Sequence, residues 1–280
     1  MKTILVVANE TLAGAKLLGV VKDRSQEAGD DVRVVVCVPR NRPKHGNIIY
    51  DDFVFDAAKV RIDLARRFLR DQGITATGDI GDPDPYTATM DAIAEHHPDE
   101  VIVSTYPATI SGWLRRDLIE RIEQASGLPV LHVVQDIDAE GIPFHVTLVL
   151  AAKTASGDEL LQTMKERTAG HERQTLVIVM VPQEGGEGQH AARARAQMAQ
   201  VVDRLVSENL IAAGMIGDPD PYTAAMNALQ FFRVDDIVIS TLPATRSGWL
   251  RADLIERVKK ASHKPVQHVE ASERTAATAA

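Results

Sequence analysis

The segment IGDPDPYTA occurs twice in this chain, at 80–88 and again at 216–224. SGWLR follows at 111–115 and 247–251, DLIER at 117–121 and 253–257, and PVLHV at 129–133 is matched by PVQHV at 265–269. About 33 of the 54 positions from 80 to 133 are identical to their partners at one constant offset. A repeat of this length makes the chain two copies of one folding unit, joined head to tail. The 280 residues agree, since a domain takes roughly 100–200.

The front halves have diverged much further. TILVVAN at 3–9 pairs with TLVLAAK at 147–153, and RVVVCVP at 33–39 with LVIVMVP at 176–182. The first copy carries extra residues in RNRPKHGNIIYDDFVFD, 40–56.

Within the first copy, apolar runs at 3–8, 32–38, 100–104 and 130–134 read as buried strands, with a weaker one over 74–80. Helical spacing covers 11–28 and 54–72, the latter through Val60, Leu64, Phe68 and Leu69, with Gly73 as its stop. Asp82 is expected to cap a helix that Pro83 and Pro85 begin, and a further helix is expected over 113–126. Continuously apolar strands alternating with amphipathic helices predict an α/β unit, a parallel sheet covered on both faces with right-handed crossovers. The expected domains are 1–134 and 144–270. QDIDAEGIP at 135–143 reads as a linker, and the small, polar segment 271–280 as a disordered tail.

Composition narrows the function classes. A 45% hydrophobic fraction is enough for a core in each half. The net charge of -8 argues against nucleic acid or a membrane as partner. No apolar run reaches the roughly 18 residues of a membrane span. The N-terminal run reads as a first strand in preference to a signal peptide, so a cytoplasmic protein is expected. Cys37, alone and inside VVVCV, reads as a small buried hydrophobe.

On these features the chain resembles the universal stress protein family. The resemblance rests on the strand–helix order, the glycine turn Gly81-Asp82-Pro83, and the pattern VIVSTYPATISGWLRRDLIERIEQASGLPVLHVV at 101–134. It covers both copies, and it implies two open five-stranded parallel sheets, Rossmann-like, of strand order 3-2-1-4-5. Nucleotide-binding members carry G-x2-G-x9-G-[ST] after the fourth strand. Here Ser104 stands near the first glycine, Ser111-Gly112 match the internal Ser-Gly, and the distal Gly-Ser pair is missing. The second copy departs alike, at Ser240 and Ser247-Gly248. The family's acidic residue after the first strand is Asn9 here and Lys153 in the second copy. No cofactor is fixed by these residues. ATP or a related nucleotide is the candidate that the resemblance brings, and the missing glycines predict weak or absent binding.

With strand order 3-2-1-4-5, a ligand is expected where the order reverses, at the carboxyl ends of the first and fourth strands. The candidate residues there are Asn9, Thr11, Ser104, Thr105, Thr109, Ser111, Gly112 and Arg115, with Val38 and Gly81 at the ends of the second and third strands. Ser240, Thr241, Ser247, Gly248 and Arg251 are their counterparts in the second copy. A helix expected to start near Gly112 would offer free N–H groups to a small anion. Plain alternatives stand beside these assignments: Ser111 as an N-cap, Arg115 as a solvated helix residue, Trp113 as a packing anchor, Asp117 and Arg121 as a surface pair, and His132 and His268 as satisfied residues of the last strand.

No nucleophile elbow, HExxH, CxxC or GxxxxGK[ST] occurs. The expected function is therefore non-catalytic, a stress-response or regulatory protein acting by binding. The alternatives are an enzyme on the same fold acting on a phosphorylated substrate, and a ligand-free interaction module. The two copies are expected to pair within the chain through their last strands, with a homo-oligomer as a further option.

Overall fold

The computed structural model describes all residues except 30, 41–50, 110, 114–116, 153, 155–156, 184–188, 244–246, 248–252 and 273–280, and the side chains of 51, 189 and 190. The segment 273–280, with most of the expected tail, thus lies outside the described residues. So do Arg115, Lys153, Gly248 and Arg251.

The first copy runs β1 (Lys2–Val7), a 3-10 turn (Glu10–Ala13), α1 (Ala15–Ala28), β2 (Val32–Pro39), α2 (Asp51–Asp71), β3 (Ala76–Gly81), α3 (Pro85–His96), β4 (Glu100–Thr105), α4 (Leu118–Ser126), β5 (Val130–Val134) and the short α5 (Ile137–Glu140). The second runs β6 (His145–Leu150), α6 (Asp158–Ala169), β7 (Thr175–Pro182), α7 (Gln189–Ser207), β8 (Ile211–Gly217), α8 (Pro221–Phe231), β9 (Asp236–Thr241), α9 (Leu254–Ser262) and β10 (Val266–Glu270). Both sheets are parallel throughout and five-stranded, in the orders β3-β2-β1-β4-β5 and β8-β7-β6-β9-β10. Each copy therefore has the order 3-2-1-4-5. β5 and β10 are the terminal strands of their own sheets.

Both faces of the first sheet are covered, and the pleat shows it residue by residue. Ile4, Val6, Val34, Val36 and Ile102 pack with Leu17 and Val21 of α1 and Ile62 and Leu69 of α2. The alternate residues Leu5, Val7, Val35, Cys37, Val101 and Val103 pack with Ala88 and Ala92 of α3 and Leu118 and Ile122 of α4. In the second copy, Val149, Val177, Val179 and Val238 pack against Leu160 and Met164 of α6 and Val201 and Leu205 of α7. Each such Val or Leu contributes about 1.5–3 kcal/mol by leaving water, which explains why the strands read as unbroken apolar runs.

By contacts the chain divides into Met1–Arg42 with Ala57–Pro143, and Pro43–Asp56 with Phe144–Ala280. The described end of the extra segment thus belongs to the second unit. There Phe53 meets Phe231 at 5.1 Å between ring centroids. The Asp56 carboxylate accepts from Arg195 at 3.3 and 3.4 Å; burial raises its pKa, and Arg195 opposes the shift.

Three expected boundaries change, each for a local reason. The helix expected from residue 11 is split into the 3-10 turn and α1 by Gly14, which is extended at φ -75 and ψ 142. The cap of α3 is Asp84, not Asp82: its side chain accepts from Thr87 N at 3.0 Å, and Pro85 fills the first helical turn. Asp82 instead accepts from Asp84 N at 2.8 Å, bending the chain into the cap. After Gly112 the first described helical residue is Leu118, and Asp117 before it takes φ 47, a left-handed conformation through which no α-helix continues. Among the described residues no helix is long and apolar enough to cross a membrane.

Candidate functional site

The strand order reverses beside β1, which pairs with β2 on one side and β4 on the other. In the first copy, the polar residues after β1 and β4 do converge there, and they are tied to one another. Asn9 donates through Nδ2 to the Pro39 carbonyl at 2.7 Å, holding the end of β1 to the end of β2. Its Oδ1 is buried with no hydrogen-bond partner among the described residues. Thr11 donates to the Ser104 carbonyl at 3.2 Å. Both threonine and serine are almost wholly buried.

The residue that joins this cluster is Gln135, 1% exposed. Its Nε2 donates to the Thr11 carbonyl at 2.6 Å and to Ser104 Oγ at 2.9 Å, while its Oε1 accepts from Leu17 N at 3.4 Å. A carbonyl can only accept, so the Thr11 contact fixes which end of the amide faces it. A Cβ at Gly14 would lie 2.1 Å from Gln135 Oε1, so a larger residue there would displace the amide from the start of α1. The crevice of the first copy is filled by its own side chain.

Thr105 donates to the Tyr106 carbonyl at 2.8 Å and meets His132 Nε2 at 2.9 Å. Its single proton is committed to Tyr106, so His132 is the donor to it, as the Nε2–H tautomer. Burial lowers the His132 pKa. Thr241 repeats the arrangement, donating to Leu242 O at 2.9 Å and meeting His268 at 2.8 Å. The two histidines are thus satisfied residues of the last strand.

Ser111 does not cap α4. Its Oγ accepts from Trp113 N at 3.2 Å and its N–H donates to Pro107 O at 2.8 Å, closing a local turn. Ser247 N repeats the bond to Pro243 O at 2.9 Å. Thr109 and Gly112 are exposed. The helix start expected near Gly112 as an anion cradle is not found among the described residues.

Val38 is fully buried. Gly81 serves packing: a Cβ there would lie 2.5 Å from Ala88 Cβ and 3.1 Å from Cys37 Sγ. Gly217 is the same, with 2.5 Å to Met180 Sδ and 2.8 Å to Ala224 Cβ. The two strongest repeated motifs also meet each other. Arg121 of DLIER lies 4.0 Å over the Tyr86 ring of IGDPDPYTA, and Arg257 lies 4.3 Å over Tyr222. The expected surface pairing of Arg121 with Asp117 gives way to this cation–π contact.

Two residues of the site escape a reading of the sequence. Arg61 of α2 is one: burial lowers its guanidinium to about 10, and the charges of Glu10 and Tyr106 oppose the shift. On an amphipathic helix it reads as ordinary solvated charge. Gln135 falls in the presumed linker, although extending the repeat two places past Val133 pairs it with Ala271. Cys37 is inert, since burial pushes its thiol up to about 12.

No family model matches the chain, and no curated protein matches it. Among solved structures it is similar to a universal stress protein from Archaeoglobus fulgidus. That match has 16% sequence identity, covers 97% of each chain, and has a TM-score of 0.35. The fold rests on the strand order of the two sheets.

Proposed function

We propose that this chain is a non-catalytic binding protein of stress-response or regulatory type. It acts in the cytoplasm and takes a small ligand at the carboxyl ends of the first and fourth strands of a copy. The observation that carries this reading is the twice-repeated 3-2-1-4-5 order, because open parallel sheets bind ligands where that order reverses. The sequence supports it by lacking any recognised catalytic motif. Near the first reversal the Thr11 and Ser104 hydroxyls and the amide nitrogens of Asn9 and Gln135 bond to other groups of the chain, which supports a binding role there over a catalytic one.

ATP is not the ligand this reading favours. Two of the family's three motif glycines have no counterpart, and the first described helix after Ser111 starts only at Leu118, behind the left-handed Asp117. Native mass spectrometry of the full chain should find a bound small molecule, and calorimetric titration with ATP should give weak or no binding. Steady nucleotide turnover by the pure protein, or a ligand-free mass together with no binding in a broad metabolite screen, would overturn the proposal.

A further inference from the structure

The described backbone of the two reversal points agrees, and their contents differ. Gly14 and Gly157 precede α1 and α6 with nearly equal angles, φ -75 and ψ 142 against φ -71 and ψ 144. Gly14 N donates to Thr11 O at 3.0 Å, and Gly157 N to Thr154 O at 2.9 Å. Leu17 and Leu160 are the third residues of those helices. Ser104 and Ser240 are the fifth residues of β4 and β9. Gln135 N donates to Thr105 O at 3.0 Å, and Ala271 N to Thr241 O at 2.9 Å. Every group that receives the Gln135 amide therefore has a counterpart in the second copy, and the residue that supplies the amide is replaced by alanine.

The consequence shows in the hydroxyls. Ser104 Oγ is bonded by Gln135 and Thr11 Oγ1 by the Ser104 carbonyl. Ser240 Oγ and Thr154 Oγ1, each 2% exposed, have no hydrogen-bond partner among the described residues. Buried hydroxyls are normally paired, and an orphan marks a strained, functional or ligand-filled position. Of the two orphans, Ser240 Oγ is the one whose counterpart, Ser104 Oγ, is bonded by the Gln135 amide in the sister copy. A group placed as the Gln135 amide is in the first copy would donate to the Thr154 carbonyl and Ser240 Oγ and accept from Leu160 N.

We propose that the second copy's reversal point is the ligand site of this chain, and that its ligand carries a primary carboxamide or an equivalent head with adjacent N–H donor and carbonyl acceptor. The inference deepens the binding reading above and rests on it. In the first copy Gln135 plays the ligand's part permanently, leaving that copy closed. An ionised carboxylate fits poorly, because it has no proton to donate to the Thr154 carbonyl.

The test uses the full chain with acetamide as the probe and acetate as the anion of matching size, followed by ligand-observed NMR. Acetamide should bind, acetate should not, Ala271→Gln should abolish the acetamide signal, and Ser240→Ala should weaken it. Gln135→Ala should open a second site and increase the signal. Circular dichroism confirms that each variant is folded, and the Ser240 variant keeps the test alive should Ala271→Gln fail to fold. An acetamide signal unchanged in both second-copy variants overturns the assignment. Acetate competing equally, with both losing the site in Ala271→Gln, overturns the carboxamide and leaves the binding reading standing. Absence of any probe signal in wild type and in Gln135→Ala overturns the carboxamide site. If native mass spectrometry and metabolite screening also find no ligand, the binding reading falls with it.

Discussion

Two regions of this molecule were built from one plan and now differ at both ends of their sheets. At the carboxyl ends, the first copy closes its crevice with Gln135, and the second has Ala271 and two hydroxyls without a partner among the described residues. At the amino ends the contrast runs the other way. Glu100 pairs with Lys2 at 3.2 Å, at an edge partly open to water. Its counterpart Asp236 is buried, accepts from His145 at 2.8 Å, and is also bonded by Arg167. The lesson is that the repeated blocks, which hold helix to sheet, change little, while residues just outside them decide what each copy can hold.

The largest effect should come from breaking the amino-end contrast. Asp236→Ala leaves Arg167 and His145 without their shared carboxylate and should cost about 3 kcal/mol, whereas Glu100→Ala should cost under about 1 kcal/mol. Urea unfolding checks the magnitude, and hydrogen exchange shows which sheet loosens. Burial alone would raise the Asp236 pKa, but the hydrogen bonds from His145 and Arg167 outweigh it and lower it below 3.8. A depressed carboxylate contributes stability above its unfolded pKa. That contribution should disappear as pH falls from 3.8 through the folded value, and Asp236→Asn should flatten this part of the curve.

Next comes the exchange of the plug. Gln135→Ala strands the Ser104 hydroxyl and the Leu17 amide in a buried place and leaves the Thr11 carbonyl with Gly14 N alone, and should cost about 2–3 kcal/mol. Ala271→Gln should stabilise by about 1 kcal/mol if its amide finds the corresponding partners. Opposite signs in thermal unfolding would sharpen the comparison, and destabilisation by both would break it.

Smaller and more similar effects are expected where the copies agree. Gly81→Ala and Gly217→Ala each force a methyl against α3 or α8 and should cost about 1–2 kcal/mol apiece. The flexible Met180 can yield in the second copy, so Gly217→Ala should be the milder. Smallest of all, Tyr86→Leu and Tyr222→Leu should each lose about 0.5–1 kcal/mol with the guanidinium contact. A double-mutant cycle with Arg121→Ala or Arg257→Ala measures that coupling and should return similar values for the two copies.

The duplication, the parallel sheets and the strand–helix order were legible in the sequence for simple reasons. Strands buried on both faces must be continuously apolar, as VVVCV and LVIVMV are, and a repeat at constant offset needs no structure to be seen. Asn9, Thr11 and Ser104 were legible as neighbours once a strand order was assumed. What each does was not, because a short polar side chain after a strand can face a ligand, a carbonyl or water, and only the packed backbone selects among them. Tertiary structure alone decided that Asn9 reaches Pro39, that α4 begins at Leu118, and that Tyr86 receives Arg121. It also decided the role of Gln135. A glutamine in an acidic, glycine-containing stretch has the composition of a linker, and its partners Thr11, Leu17 and Ser104 lie far away along the chain. Hydrogen-bond partners of that separation meet only when β1, β4 and β5 are laid side by side, which no local pattern in the sequence records.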